Sequence, residues 1–255
     1  EATFQTMQLV DIYQPWIQPL GLNNDVYTVY PAFGDFYAQQ SLTFKGMILN
    51  YGLRLDYWFP GKYVDDAVQD TNVVTIPNQT RIAYEEDTYN IFGQRAKLNL
   101  SPRIGISHPV SNNQTLFFSY GHFSKRPKPQ FVYAKLNPQT AEATFQKFGN
   151  PNLNPETTVA YELGIRNQFT SDDVLTITAY YKNIYNYVAT KNIFINSGRL
   201  IGKPFITYFN QDYARSRGIE FEYKKRIGAW FNGRFNFTCS VATGKSSSSD
   251  AGYLV

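Results

Sequence analysis

The chain has 255 residues, 17% of them aromatic and 17% charged, with a formal net charge of +4. That length suits one large domain or two small ones, and a positive charge spread along the chain without a basic cluster gives no case for nucleic acid. No stretch approaches the 18 apolar residues of a membrane-spanning helix, and the one cysteine, Cys239, excludes an intrachain disulfide and a zinc-type spacing.

Taken in order, alternation of apolar and polar residues predicts a first strand over 3–13, then a loop with Pro15, Pro19, Gly21 and Pro31. Further strands are predicted over 35–44, 47–58, 97–108, 114–123, 159–170, 174–189, 206–225 and 229–243, nine in all. The run over 206–225 is long, and a bulge or break is expected near Asp212 to Ala214. No helix is well supported. Residues 140–148 have only a weak helical period inside a long loop, and the polar stretch 246–249 reads as another outer loop.

Two features set the fold class. The first is parity: Leu49, Tyr51, Leu53, Leu55 and Tyr57 fall on one face of their strand, and Asn50, Gly52, Arg54 and Asp56 on the other. Val159, Tyr161, Leu163 and Ile165 against Ala160, Glu162, Gly164 and Arg166 repeat it, as do Ile219, Phe221 and Tyr223 against Glu220, Glu222 and Lys224. The runs last about the 9–11 residues that a tilted strand needs to cross a bilayer. The second is the connections. Short turns at Lys45-Gly46, Ser111 to Asn113, Thr170 to Asp173 and Arg226 to Gly228 alternate with long segments over 60–96, 124–158 and 190–204. Short turns on one side and long loops on the other are the layout of an outer-membrane barrel. With 20 Tyr and 20 Phe to supply aromatic girdles, the expected fold is an all-β, transmembrane antiparallel β-barrel.

Four segments carry a family resemblance: FYAQQSLTFKGMILNYGLRLDYW over 36–58, LSPRIGIS over 100–107 followed by FFSYGHF over 117–123, NPNLNPETTVAYELGIR over 150–166, and NQDYARSRGIEFEYKKR over 210–226. Together they resemble, in order, the barrel of TonB-dependent outer-membrane receptors. That resemblance implies a large barrel of about 22 strands, filled in the whole protein by a plug domain, in the outer membrane of a Gram-negative bacterium. It implies import of a scarce nutrient, such as an iron chelate, vitamin, oligosaccharide or peptide, with energy from a TonB-type protein. Implied partners are outer-membrane lipid, the plug, that energy-transducing protein and, as a further candidate, a surface lipoprotein. The plug, the segment that engages the energy transducer and the final strands do not match anything in this sequence, so 1–255 is expected to be a barrel fragment. No cofactor is expected.

Candidate site residues follow from the same parity. Arg54, Asp56, Arg103, Glu162, Arg166, Glu220, Glu222, Lys224 and Arg234 are costly in lipid and are expected to face the lumen. There they contact a plug or a solute, or form a cross-strand charge ladder; the ladder is favoured, since all the strands concerned contribute. The loop aromatics Phe131, Tyr133, Phe145, Phe148, Phe194 and Phe205 are the candidates for solute contact, the alternative being that they pack the loops into a lid. Asp65, Asp66, Asp70, Glu85, Glu86 and Asp87 match no calcium loop and read as a solvated acidic face. His108 and His122 are too separated for a metal site, no catalytic triad is legible, and Cys239 reads as a small packing residue on the apolar parity. A passive porin, a structural barrel or an enzyme barrel are the competing classes; no catalytic set supports the last.

Overall fold

A computed structural model describes residues 2–4, 7–12, 24–73, 75–136, 147–194, 202, 204–227, 231–245 and 252–254. Three short strands come first: β1 (Ala2–Phe4), β2 (Met7–Ile12) and β3 (Asn24–Val29). A hairpin follows, β4 (Ala32–Phe44) and β5 (Met47–Phe59), then a connection holding α1 (Lys62–Gln69), α2 (Asn78–Glu86) and β6 (Tyr89–Ile91). The next hairpin is β7 (Gln94–Ser111) and β8 (Gln114–Lys125), and its connection holds α3 (Pro129–Tyr133) and β9 (Lys147–Phe148). Then come β10 (Glu156–Thr170), β11 (Asp173–Phe194), β12 (Pro204–Ile227), β13 (Phe231–Lys245) and β14 (Gly252–Leu254).

The main sheet runs β1-β4-β5-β7-β8-β10-β11-β12-β13-β14 and does not close on itself. All pairs along that path are antiparallel. Sequential neighbours joined by tight turns make an up-and-down meander, the wall topology of a membrane barrel. The Lys45-Gly46 turn shows why the first hairpin is tight. Both residues have positive φ, 47° and 80°, the primed turn geometry that matches the twist of the flanking strands. Strands β7, β11 and β12 have 18, 22 and 24 residues. That is longer than a bilayer crossing requires, and the long connections leave from their ends away from the short turns.

Several expectations are corrected here. The predicted strand over 3–13 is two short strands in different sheets: β1 pairs β4, whereas β2 pairs β3 in a sheet of its own. Tyr13 lies outside the described residues. Helices are present. In α1, Val64, Ala67 and Val68 form a buried i, i+3, i+4 stripe, while α2 buries Tyr84. Neither has a capping side chain, and helices this short depend on tertiary packing, so local signals do not announce them. Of the weak helical segment, residues 140–146 lie outside the described residues and Lys147–Phe148 is a strand. Residues 246–249 also lie outside them. The irregularity in β12 falls where expected: register shifts flank Tyr187, opposite Asp212.

A compact apolar core sits in the long connections, not in the wall. It joins Tyr27 and Val29 of β3, Trp58 of β5, Val64 and Val68 of α1, Tyr84 of α2, Val132 and Tyr133 of α3, and Leu153. The wall presents Leu53, Leu100, Leu163, Ile219, Phe235 and Phe237 in the open.

Candidate functional site

Cross-strand partners share a sheet face, so the registers fix which residues stand together. Gln39, Gly52, Arg103, Gly121, Ala160, Lys182, Ser216 and Ala242 form one continuous row. Extended by alternate residues, that face carries all nine charged candidates: Arg54, Asp56, Arg103, Glu162, Arg166, Glu220, Glu222, Lys224 and Arg234. The other face carries the apolar residues, and Cys239 is exposed there opposite Ile219. It is therefore not enclosed in packing by this chain.

The charged face is largely a ladder. The Arg54 guanidinium lies 3.2 Å from Asp35 and 2.8 Å from Asp56, and Asp56 also accepts from Ser124 at 2.9 Å. Lys182 approaches Glu162 at 3.8 Å, and Glu222 lies 3.0 Å from both Lys224 and Arg234. Arg103 stacks over Phe123, 4.6 Å from the ring centroid. No ion pair is made among the described residues by Arg166 or Glu220. Gly164 leaves room on this face for the ring of its partner Phe117, since a Cβ there would lie 2.2 Å from that ring.

At the long-connection end, Asp35, Asp56, Lys97, Arg126 and Tyr133 line a cavity of about 600 Å³. Arg126 lies 3.1 Å over the Phe33 ring. The packed connections roof this cavity. Tyr133 is buried and its hydroxyl donates to the Pro60 carbonyl at 3.0 Å; burial pushes its pKa up. Phe148 and Phe205 are buried edge to face at 5.5 Å. Phe131 is half-buried against Tyr208 at 4.5 Å, and Phe194 is 63% exposed. Phe145 lies outside the described residues. Of the loop aromatics, then, Phe131 and Phe194 keep open surface, while Tyr133, Phe148 and Phe205 hold the lid together.

Asp65 departs from the solvated acidic face expected for its neighbours. It is buried, accepting from the Tyr84 hydroxyl at 2.8 Å and the Arg95 backbone N–H at 3.3 Å. Desolvation outweighs these bonds and raises its pKa; burial raises that of Tyr84 too. Asp66, Glu85, Glu86 and Asp87 are exposed, and no metal-ligating cluster occurs among the described residues. Tyr120 hydroxyl and His122 Nε2 are 2.6 Å apart, whereas His108 is near the other end of the wall.

Sequence reasoning missed the asparagines of the 150–156 segment. Lys97 Nζ donates to Asn152 O at 3.2 Å, Asn152 Oδ1 at 2.8 Å and Asn154 Oδ1 at 2.7 Å. Asn150 donates to the Tyr208 carbonyl at 2.7 Å. Asn154 N donates to Asn210 Oδ1 at 2.7 Å, and Asn210 Nδ2 returns a bond to Asn154 O at 3.0 Å. Asn210 Nδ2 also reaches the carbonyl of Asn186 at 2.7 Å. Alternate asparagines between Pro151, Leu153 and Pro155 thus stitch the lid to β7, β11 and β12. The visible signal is their period of two beside prolines, which leaves polar side chains to supply the bonds.

The sequence profile described as TonB dependent receptor-like, beta-barrel, matches residues 3–253. The chain belongs to the TonB-dependent receptor family. Its place is the outer membrane of Gram-negative bacteria, as for the family. Solved structures of similar fold include a mutant of the ferric enterobactin receptor PfeA from Pseudomonas aeruginosa, at 18% identity and TM-score 0.61, covering 95% of this chain and 34% of that one. The FrpB iron transporter from Neisseria meningitidis matches at 14% identity and TM-score 0.57, covering 89% and 28%. The outer membrane transporter YddB from Escherichia coli matches at 9% identity and TM-score 0.57, covering 87% and 25%. The receptor chain thus spans about a third or less of the length of these structures. No curated protein sequence matches it significantly.

Proposed function

We propose that this receptor chain is part of the wall and outer lid of a larger barrel that imports a scarce nutrient by energy-coupled transport. The supporting observation is the family match combined with one continuous charged face beneath a roofed cavity. The charged face lines the lumen, where Arg54, Asp56, Glu162 and Glu222 are neutralised by neighbours, and the apolar face meets lipid. A plug from the same protein covers the lumen face, and a TonB-type partner in the inner membrane supplies energy; a surface lipoprotein is a further proposed partner. The open sheet edges support additional strands, because unpaired backbone groups in lipid cost several kcal/mol each. Phe131 and Phe194 offer the solute contacts, and the solute classes are an iron chelate, a vitamin, an oligosaccharide or a peptide. Among structures of similar fold are a ferric enterobactin receptor, an iron transporter and a hemophore receptor in complex with its hemophore and heme, and this supports metal chelates as the first class to test.

The test is uptake of radiolabelled ferric chelates, heme and cobalamin by cells expressing the full-length protein, with and without the energy-transducing partner. Uptake of one solute that disappears without the partner is expected. Uptake that is indifferent to it identifies a passive porin. Cysteines at Asn78 and Asn112 in a Cys239→Ser background check orientation: an impermeant reagent on whole cells labels only the first.

A further inference from the structure

Beyond Lys225, which sits beside the short turn, the apolar face of β12 carries two further cations. Arg215 and Arg217 lie on it, because Arg217 pairs Tyr181 and Val241, and Arg215 pairs Asn183 and Thr243. Both are exposed. Among the described residues, Asp173 is the only carboxylate on this face between the short turns and Tyr213. It stands at the opposite end of the wall, 3.0 Å from Lys225. Arg217 makes no ion pair among the described residues. Arg215 is oriented by a 3.1 Å bond to Asn183 Oδ1 and lies 5.6 Å from the Tyr181 ring centroid.

Height gives the second observation. From Ile227 up to Arg217 is about the ten residues that cross a bilayer at a tilt. Above Lys225, which pairs with Asp173 beside the short turn, the apolar run Tyr223, Phe221, Ile219 extends to Arg217. The same row continues through Tyr181, Tyr161 and Tyr120, with ring centroids of Tyr120 and Tyr161 5.0 Å apart. Tyrosines gathered where an apolar run ends mark the membrane–water interface. A guanidinium there, with no carboxylate partner among the described residues, is suited to an anion from the membrane. Alternate residues on a strand face are roughly 7 Å apart, so two forks can close on one phosphate, for which guanidinium geometry is suited.

We propose that Arg215 and Arg217 form a binding site for the phosphate of an anionic lipid headgroup in the leaflet on the long-connection side, with Asn183 and Tyr181 positioning the first guanidinium. The inference rests on the apolar face meeting lipid, as proposed above.

The test uses the full-length receptor in nanodiscs of phosphatidylcholine containing phosphatidic acid, a phosphomonoester lipid. Lipid retained after extraction is counted by native mass spectrometry. The wild type is expected to retain phosphatidic acid over phosphatidylcholine. Arg215→Gln/Arg217→Gln should lose at least tenfold of that preference, with Arg215→Lys/Arg217→Lys intermediate. Arg103→Gln/Arg166→Gln removes equal charge from the other face and should retain it. Equal loss in both glutamine pairs overturns the site, as does displacement of the lipid by millimolar inorganic phosphate, which would make it a free-phosphate site. A fluorophore at Leu163→Cys, in a Cys239→Ser background, separates the two failures. Quenching by a lipid-borne quencher without phosphatidic acid retention sinks only this inference. Absence of quenching sinks the assignment of faces itself.

Discussion

The lid and the wall use apolar residues in opposite ways. In the lid, Tyr84, Val132 and Leu153 are withdrawn from solvent, at 1%, 0% and 0% exposure, in a core built from three short helices and β3. In the wall, Leu163 and Phe235 stand at 51% and 64%. The lid gains stability from water exclusion, as a soluble domain does. The wall holds itself by backbone pairing, and its outward apolar side chains contribute only when lipid covers them. One chain therefore contains a region that folds against itself and a region that folds against a membrane.

The largest effect expected from that contrast is in the lid. Tyr84→Ala removes a fully buried ring and its bond to Asp65, and should cost about 3–5 kcal/mol locally. Hydrogen exchange should accelerate over residues 62–91 and stay unchanged in β10 to β13. Loss of protection in both would show that lid and wall are one cooperative unit.

In the wall, Leu163→Arg should cost roughly 2–4 kcal/mol if the residue lies near the bilayer midplane. The neighbouring Glu162→Gln should cost much less, its partner Lys182 being 3.8 Å away and half in solvent. Refolding titrations into vesicles measure both, and equal costs or the reverse order would invert the faces.

Asn210→Ala probes the seam between the regions. It strands the Asn154 N–H and two carbonyls, and should cost about 1–3 kcal/mol. Exchange at Asn154 and Asn186 should rise before that of the lid core, and a silent variant would mean the lid is held by apolar packing alone.

The smallest effect is at Asp65. Its folded pKa is raised above the ordinary 3.8. Its contribution is therefore fully present below pH 3.8 and is lost as pH rises through the folded value. Asp65→Asn should be within about 1 kcal/mol of wild type at neutral pH. The wild type should gain protection relative to the variant as pH falls toward 3.8, read by exchange at 62–91. A difference that does not change with pH would contradict a charged, desolvated carboxylate.

Much of the wall was legible because a strand's side chains alternate and lipid tolerates few charges. Parity alone put Arg54, Glu162, Glu222 and Arg234 on one face, whereas their ion-pair neighbours follow from the register. It also found eight of the long strands. The lid was not legible. Its helices have eight, nine and five residues without capping side chains, so their local signal is weak and contacts distant in sequence stabilise them. Arg215 and Arg217 break the apolar–polar alternation beyond Ile219, so parity by itself gives no reason to expect them on the apolar face.

By itself, then, the sequence determined the class of the protein: period-two patterning and the alternation of short and long connections are local properties, set by the pleat and by turn length. Only the tertiary structure decided that Asp65 is buried, that Tyr133, Phe148 and Phe205 brace a lid, that alternate asparagines stitch it to the wall, and that two arginines stand on the apolar face. Each of those depends on which distant segment arrives to remove water or to offer a partner, and no window of sequence contains both sides of such a contact.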